Sequence, residues 1–261
     1  MINLKVALTS FILFFGYYQT VRAQTFILEN TQISFDSKLR PALAANIEPE
    51  AKSFKKAWAH YLKKTHQVKL KGIGFLVNRD LLSAKDVIVA AVSSKRMNIY
   101  TRIMETSDGS EVKLFASFGY DIFIGPENYP NEYASMQAIL NTFLIENLQN
   151  YYNNEIKETS KRITGLQKEK VRILKAIRSN TVIIEKSLED LEKINAKGHA
   201  DNQDAIKLLD KANKVNTIKT KCENENTVYL TKVTQIDAKL VNRKVKLEKL
   251  KLKYKNLNTT N

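Results

Sequence analysis

IKETSKRITGLQKEKVRILKAI, residues 156–177, is the stretch that decides the architecture. With Ile156 as heptad position a, the a positions run Ile156, Ile163, Lys170, Ile177, Ile184 and Leu191. Five of these six are branched apolar residues, so the row reads as one face of a helix. The d positions are mixed: Thr159, Leu166, Ile173, Asn180 and Ser187, with Leu174 and Leu188 at e read as widening the stripe. Working outward, the same spacing covers Ala134–Asn195 with one glycine and no proline, which predicts a single long helix.

A second seam follows over Asp204–Leu257. Its rows are Leu208, Val215, Cys222, Tyr229, Ile236, Arg243, Leu250 and Leu257, and Ala212, Lys219, Asn226, Val233, Leu240, Leu247 and Tyr254. Such a seam left alone would expose its stripe to water, so each stretch calls for a partner helix. The break at about 196–203 contains Gly198, suited to a left-handed helix end, and Asp201 or Asn202, suited to a helix start. A connection this short favours antiparallel neighbours. At 1.5 Å per residue each arm spans about 80–90 Å. Folding back would bring Ile184 near Val215, Ile163 near Ile236 and Leu148 near Leu250. The alternatives are pairing with another molecule and a kink at the polar run Cys222–Thr227.

At the other end, Lys5 followed by the apolar run Val6–Gly16 and by Val21-Arg22-Ala23 reads as a secretory signal over 1–23, cleaved after Ala23. The run is too short to span a bilayer comfortably, the alternative being an uncleaved anchor. No other stretch reaches membrane-spanning length, so no transmembrane segment is expected after cleavage. The expected location is the periplasm or the outer envelope, or outside the cell. The lone Cys222 excludes an intramolecular disulfide and sits on the helical seam, where a buried thiol fits.

Residues 24–150 read as an α+β head. Phe26–Leu28, Ile33–Phe35, Pro41–Ile47, Val68–Val77, Asp86–Ser93, Met97–Ile103 and Glu111–Phe118 are the expected strands, with a bulge near Gly72 and Gly74. Tyr120–Ile124 is a further short candidate. Thr106-Ser-Asp-Gly-Ser110 signals a hairpin turn. Pro49–Lys64 is an amphipathic helix, with Phe54, Trp58, Tyr61 and Leu62 on one face and Lys52, Lys55, Lys56, His60, Lys63 and Lys64 on the other. Met136, Ile139, Leu140, Phe143, Leu144 and Leu148, in a helix starting at about 131, complete the core. The fold class is therefore α+β: an antiparallel sheet packed by helices in two layers, followed over 151–261 by a long antiparallel helical hairpin or coiled coil.

Lys55-Lys-Ala-Trp-Ala-His-Tyr-Leu-Lys-Lys64, the Lys69–Lys71 strand and Tyr129-Pro-Asn-Glu-Tyr133 belong to a layout that resembles exported proteins of Gram-negative bacteria. Those proteins combine a signal peptide, a small α+β domain and a lysine-rich coiled coil. The resemblance covers most of the mature chain and lies in layout. It implies a fold and an exported address, and no activity.

The formal net charge is +15, and residues 151–261 hold 25 basic against 14 acidic residues. The densest segment contains Lys239, Arg243, Lys244, Lys246, Lys249, Lys251, Lys253 and Lys255 with only Glu248 opposing them. These eight are the candidate face for anionic material, the alternative being a solvated surface that keeps the protein soluble. Few aromatics accompany them beyond Tyr229 and Tyr254, so base stacking is poorly supported. The three histidines, His60, His66 and His199, have no metal-ligand spacing, and no zinc, calcium, nucleotide or nucleophile motif occurs. No catalytic residue, cofactor or metal is assigned. The expected function is non-enzymatic: an exported envelope protein whose head and coiled-coil spacer mediate contact with another envelope protein or with its own copy. The alternative is a basic binder of lipopolysaccharide, anionic lipid, membrane surface or DNA.

Overall fold

Alternating apolar residues build the sheet, and the computed structural model describes residues 26–73, 78–197 and 202–258. The signal region and the 198–201 tip read above lie outside these residues. The strands are β1 (Glu29–Phe35), β2 (Lys38–Ile47), β3 (Lys71–Ile73), β4 (Asn78–Val89), β5 (Ser93–Thr106) and β6 (Gly109–Ser117). The helices are α1 (Ala51–His66), α2 (Pro130–Ala196) and α3 (Asn202–Asn258). The six strands form one sheet in the order β1-β2-β6-β5-β4-β3, every neighbouring pair antiparallel. Gly109 closes the β5–β6 hairpin at φ 145°, and a Cβ there would run into the Ile47 carbonyl, so only glycine fits.

One sheet face is the core. Leu43, Ile103, Val112 and Leu114 are buried there, and α1 lays Phe54, Trp58 and Leu62 among the buried residues. The Trp58 indole N–H donates to Thr101 Oγ1 at 2.9 Å, which satisfies its one polar atom. The first turns of α2 add Phe143, whose ring centroid lies 4.9 Å from that of Trp58 and 5.2 Å from that of Phe54.

Several boundaries differ from the sequence reading. Phe26–Leu28 precede β1, and the Val68–Val77 run contributes only Lys71–Ile73 among its described residues. The expected Asp86–Ser93 strand is the end of β4, a turn, and the first residue of β5. Asp86 takes φ 55° and the β4–β5 register shifts between Ala84 and Val87, so a bulge breaks the alternation. In Tyr120–Ile124 only Phe123 pairs, as a single bridge to Ser117. Lys55, read as outward, is 4% exposed, with Nζ 2.9 Å from Asp80 Oδ1. Its long apolar stem packs while the ammonium reaches a carboxylate. The second sheet face is also covered: Ile33, Ala42, Tyr100, Phe115 and Phe123 form a buried cluster there, with Phe35 against it.

The chain divides into two compact units. One holds the described residues up to Tyr152 together with those from Leu252 onward, and the other is Asn153–Lys251. In the second unit α2 and α3 pack on each other. Ile163, Ile236 and Leu240 are buried together, with Leu166, Ile173 and Leu247 packed against them. Glu155 meets Lys246 at 2.7 Å, Lys170 meets Asp237 at 2.6 Å, and Asn180 Nδ2 donates to Glu225 at 3.0 Å. Numbers rise in α2 as they fall in α3, so the hairpin is antiparallel and within one chain. All the a and d positions named for α2 from Ile156 on are buried or half-buried, and so are both rows of α3. Leu174 and Leu188 are the exceptions to the wider stripe: at 44% and 46% exposed they point outside the seam. A two-helix contact shelters two rows, and e lies beyond them. α3 runs unbroken through Cys222–Thr227, so no kink separates it into pieces, and Cys222 is a buried thiol.

Candidate functional site

A helix repeats its face every seven residues, so spacing alone sorts the basic segment of α3. Lys239, Lys246 and Lys253 share one flank of the seam, and Lys244 and Lys251 the other. Arg243 is a seam residue and half-buried, while Lys249 and Lys255 are exposed elsewhere on the helix. The eight positions therefore surround the helix. Three of them are engaged: Lys246 with Glu155, Lys251 with Glu248 at 2.8 Å, and Lys253 with Glu48. Lys239, Lys244 and Lys249 are exposed with no ion pair among the described residues.

The units also divide the segment. Lys253 and Lys255 belong with the head, where Lys253 pairs with Glu48 and the neighbouring Leu257 is buried. Tyr152 is buried beside Glu48, and burial together with that carboxylate pushes its phenol well above the usual value.

The outward face of α3 carries a pattern that the basic residues obscure. Thr227, Thr231, Thr234, Ala238, Val241 and Val245 follow one another at alternating spacings of four and three, and all six are exposed. Val241 and Val245 are 61% and 51% exposed. The three threonine hydroxyls donate to the carbonyls of Glu223, Thr227 and Leu230 one turn back. With the hydroxyls so engaged, the stripe offers mainly methyl groups over five turns. Lys244 and Lys249 stand on either side of its Val241–Val245 end. The sequence reading passed over this stripe, because threonine and alanine do not register as apolar beside the Ile and Leu of the inner seam. Its signal is the absence of charge at six consecutive heptad-spaced positions in a helix otherwise rich in lysine.

Chemistry-bearing side chains do not converge on it. Among the described residues, no three His, Cys, Asp or Glu side chains are grouped to hold a metal ion. His60 is exposed, and His66 stands edge-on to Tyr61 with its imidazole pKa lowered by burial. No described helix is long and apolar enough to cross a membrane. No family model matches the chain, and no curated protein or solved structure shows a significant match.

Proposed function

We propose that this is an exported, non-enzymatic interaction protein whose helical hairpin docks a helix of another envelope protein. The observation that supports this reading is the exposed, uncharged, heptad-spaced stripe from Thr227 to Val245. A methyl-rich row at three-and-four spacing is the complement of a second helix. Lys244 and Lys249, beside its Val241–Val245 end, favour a partner that carries acidic residues beside its apolar seam, because charges flanking a helical seam select partners. The same lysines disfavour a second copy of this basic hairpin.

The test is a photocrosslinker placed at Val241 in the full chain, expressed in its own envelope. The expected result is one crosslinked protein, joined through a helix with an acidic flank and lost in Val245→Glu. Crosslinking to a second copy identifies self-association instead. Retention on heparin that disappears at moderate salt, with no protein crosslink, favours the reading as a binder of anionic polymer or lipid, supported by exposed Lys239, Lys244 and Lys249.

A further inference from the structure

Residues two apart on a strand share a face, so β2 sends Lys38 and Arg40 to the sheet face away from α1. The aromatic cluster of Phe35, Tyr100, Phe115 and Phe123 lies on that face. The Arg40 guanidinium carbon sits 4.3 Å from the centroid of the Phe123 ring. Its side chain is 12% exposed, and its Nε is buried with no hydrogen-bond partner among the described residues. A cation so far withdrawn from water calls for an anion.

The anion present is Asp121. Its carboxylate accepts from Arg40 and, at 2.6 Å, from Lys38, and these two cations hold its pKa below the usual range. Asp121 reaches them from the turn after β6, at φ 64° and two residues after Gly119 at φ 152°. The turn is tied to the sheet by the Ser117–Phe123 bridge, while Asp121 itself remains partly exposed. Beside the carboxylate opens a cleft of about 300 Å³, which Lys85, Asn98 and Ser117 also line. Pockets of this size suit small molecules.

We propose that this cleft binds the carboxylate of a small organic acid, which takes the place that Asp121 holds between Lys38 and Arg40. Lys38 and Arg40 already donate together to one carboxylate, that of Asp121. A guanidinium matches a carboxylate through paired N–H donors, and Asp121 leaves the buried Nε unused. Lys85 adds a third cation to the lining against the second carboxylate there, Asp36, so the cations still outnumber the acids, and the aromatic side chains suit an acid with an apolar body. The site lies wholly in the head and does not depend on the hairpin reading.

The test is titration of the full chain with benzoate, with inorganic phosphate as the comparison, followed by the NMR signal of the Arg40 Nε–H and by calorimetry. Benzoate is expected to move that signal, and Asp121→Asn, which removes the competing charge, to bind benzoate about tenfold tighter. Lys38→Gln, at an exposed position, should weaken binding several-fold in the Asp121→Asn background while the melting curve is unchanged. An unmoved Arg40 signal in both proteins overturns the site. A response to phosphate equal to that with benzoate overturns the carboxylate assignment.

Discussion

Trp58 shows what one side chain does in the head. It is buried, its indole N–H meets Thr101, and its ring contacts Phe143 from α2. Removing so large a buried ring costs about 3–5 kcal/mol. Trp58→Ala should therefore unfold the head in a chemical denaturation series while the far-ultraviolet helical signal of the hairpin persists. The helix face that holds Trp58 was legible from Phe54, Trp58 and Leu62 alone. Lys55 was not, because its partner Asp80 is a long-range neighbour on β4. Tyr152 gives a second check. Its phenol is neutral in both folded and unfolded chains at neutral pH, and only the unfolded chain ionises near pH 10. Stability should then be lost as pH rises above that value, by about 1.4 kcal/mol per pH unit for this residue. Comparing alkaline melting curves with those of Tyr152→Phe isolates its share, and equal slopes would count against it.

At the scale of elements, the inner seam of the hairpin was readable because heptad spacing needs no knowledge of the partner. The sheltered rows follow it residue by residue, and the Leu174 and Leu188 positions show its limit. The strands were harder, since the bulge at Asp86 shifts the alternation on which their reading rests. The second aromatic face was missed for a related reason: Tyr100 and Phe115 stand at outward parity, and their cover arrives from the Phe123 turn. The seam also contains a defect. The Asn226 side-chain oxygen is buried with no partner among the described residues. Leaving such a group unsatisfied costs about 1–3 kcal/mol, so Asn226→Leu should raise the melting temperature of the hairpin. A buried Asn can also fix alignment, and disulfide mapping can check it. With Cys222 replaced, Ile163→Cys and Ile236→Cys should crosslink rapidly within one chain at low concentration. Loss of that preference in the Asn226→Leu background would show that the Asn sets the register.

For the molecule as a whole, charge and the exposed methyl stripe point to different uses of the same helix. The excess of lysine beyond residue 150 predicts retention on heparin at low salt and release as salt rises. Lys239→Glu, Lys244→Glu and Lys249→Glu combined should lower the eluting salt, whereas Val241→Glu alone should shift it far less. The candidate stripe was illegible at first reading because its residues are individually unremarkable. The cleft around Arg40 was illegible because β2 and the turn after β6 meet only in the folded sheet.

Leu257, buried in the same compact unit as Glu48 and Gln149, is reached by the chain only after both long helices. Lys253 clasps Glu48, and the Asn258 side chain accepts from Gln149 at 2.7 Å. Synthesis therefore makes the sheet first and delivers its last packing groups much later. During that interval the nascent polypeptide lacks part of its own core, and the head completes its packing only once α3 has been made. For the export proposed above, such a delay would help, since a polypeptide still short of its final packing is the easier one to thread through a narrow translocation channel.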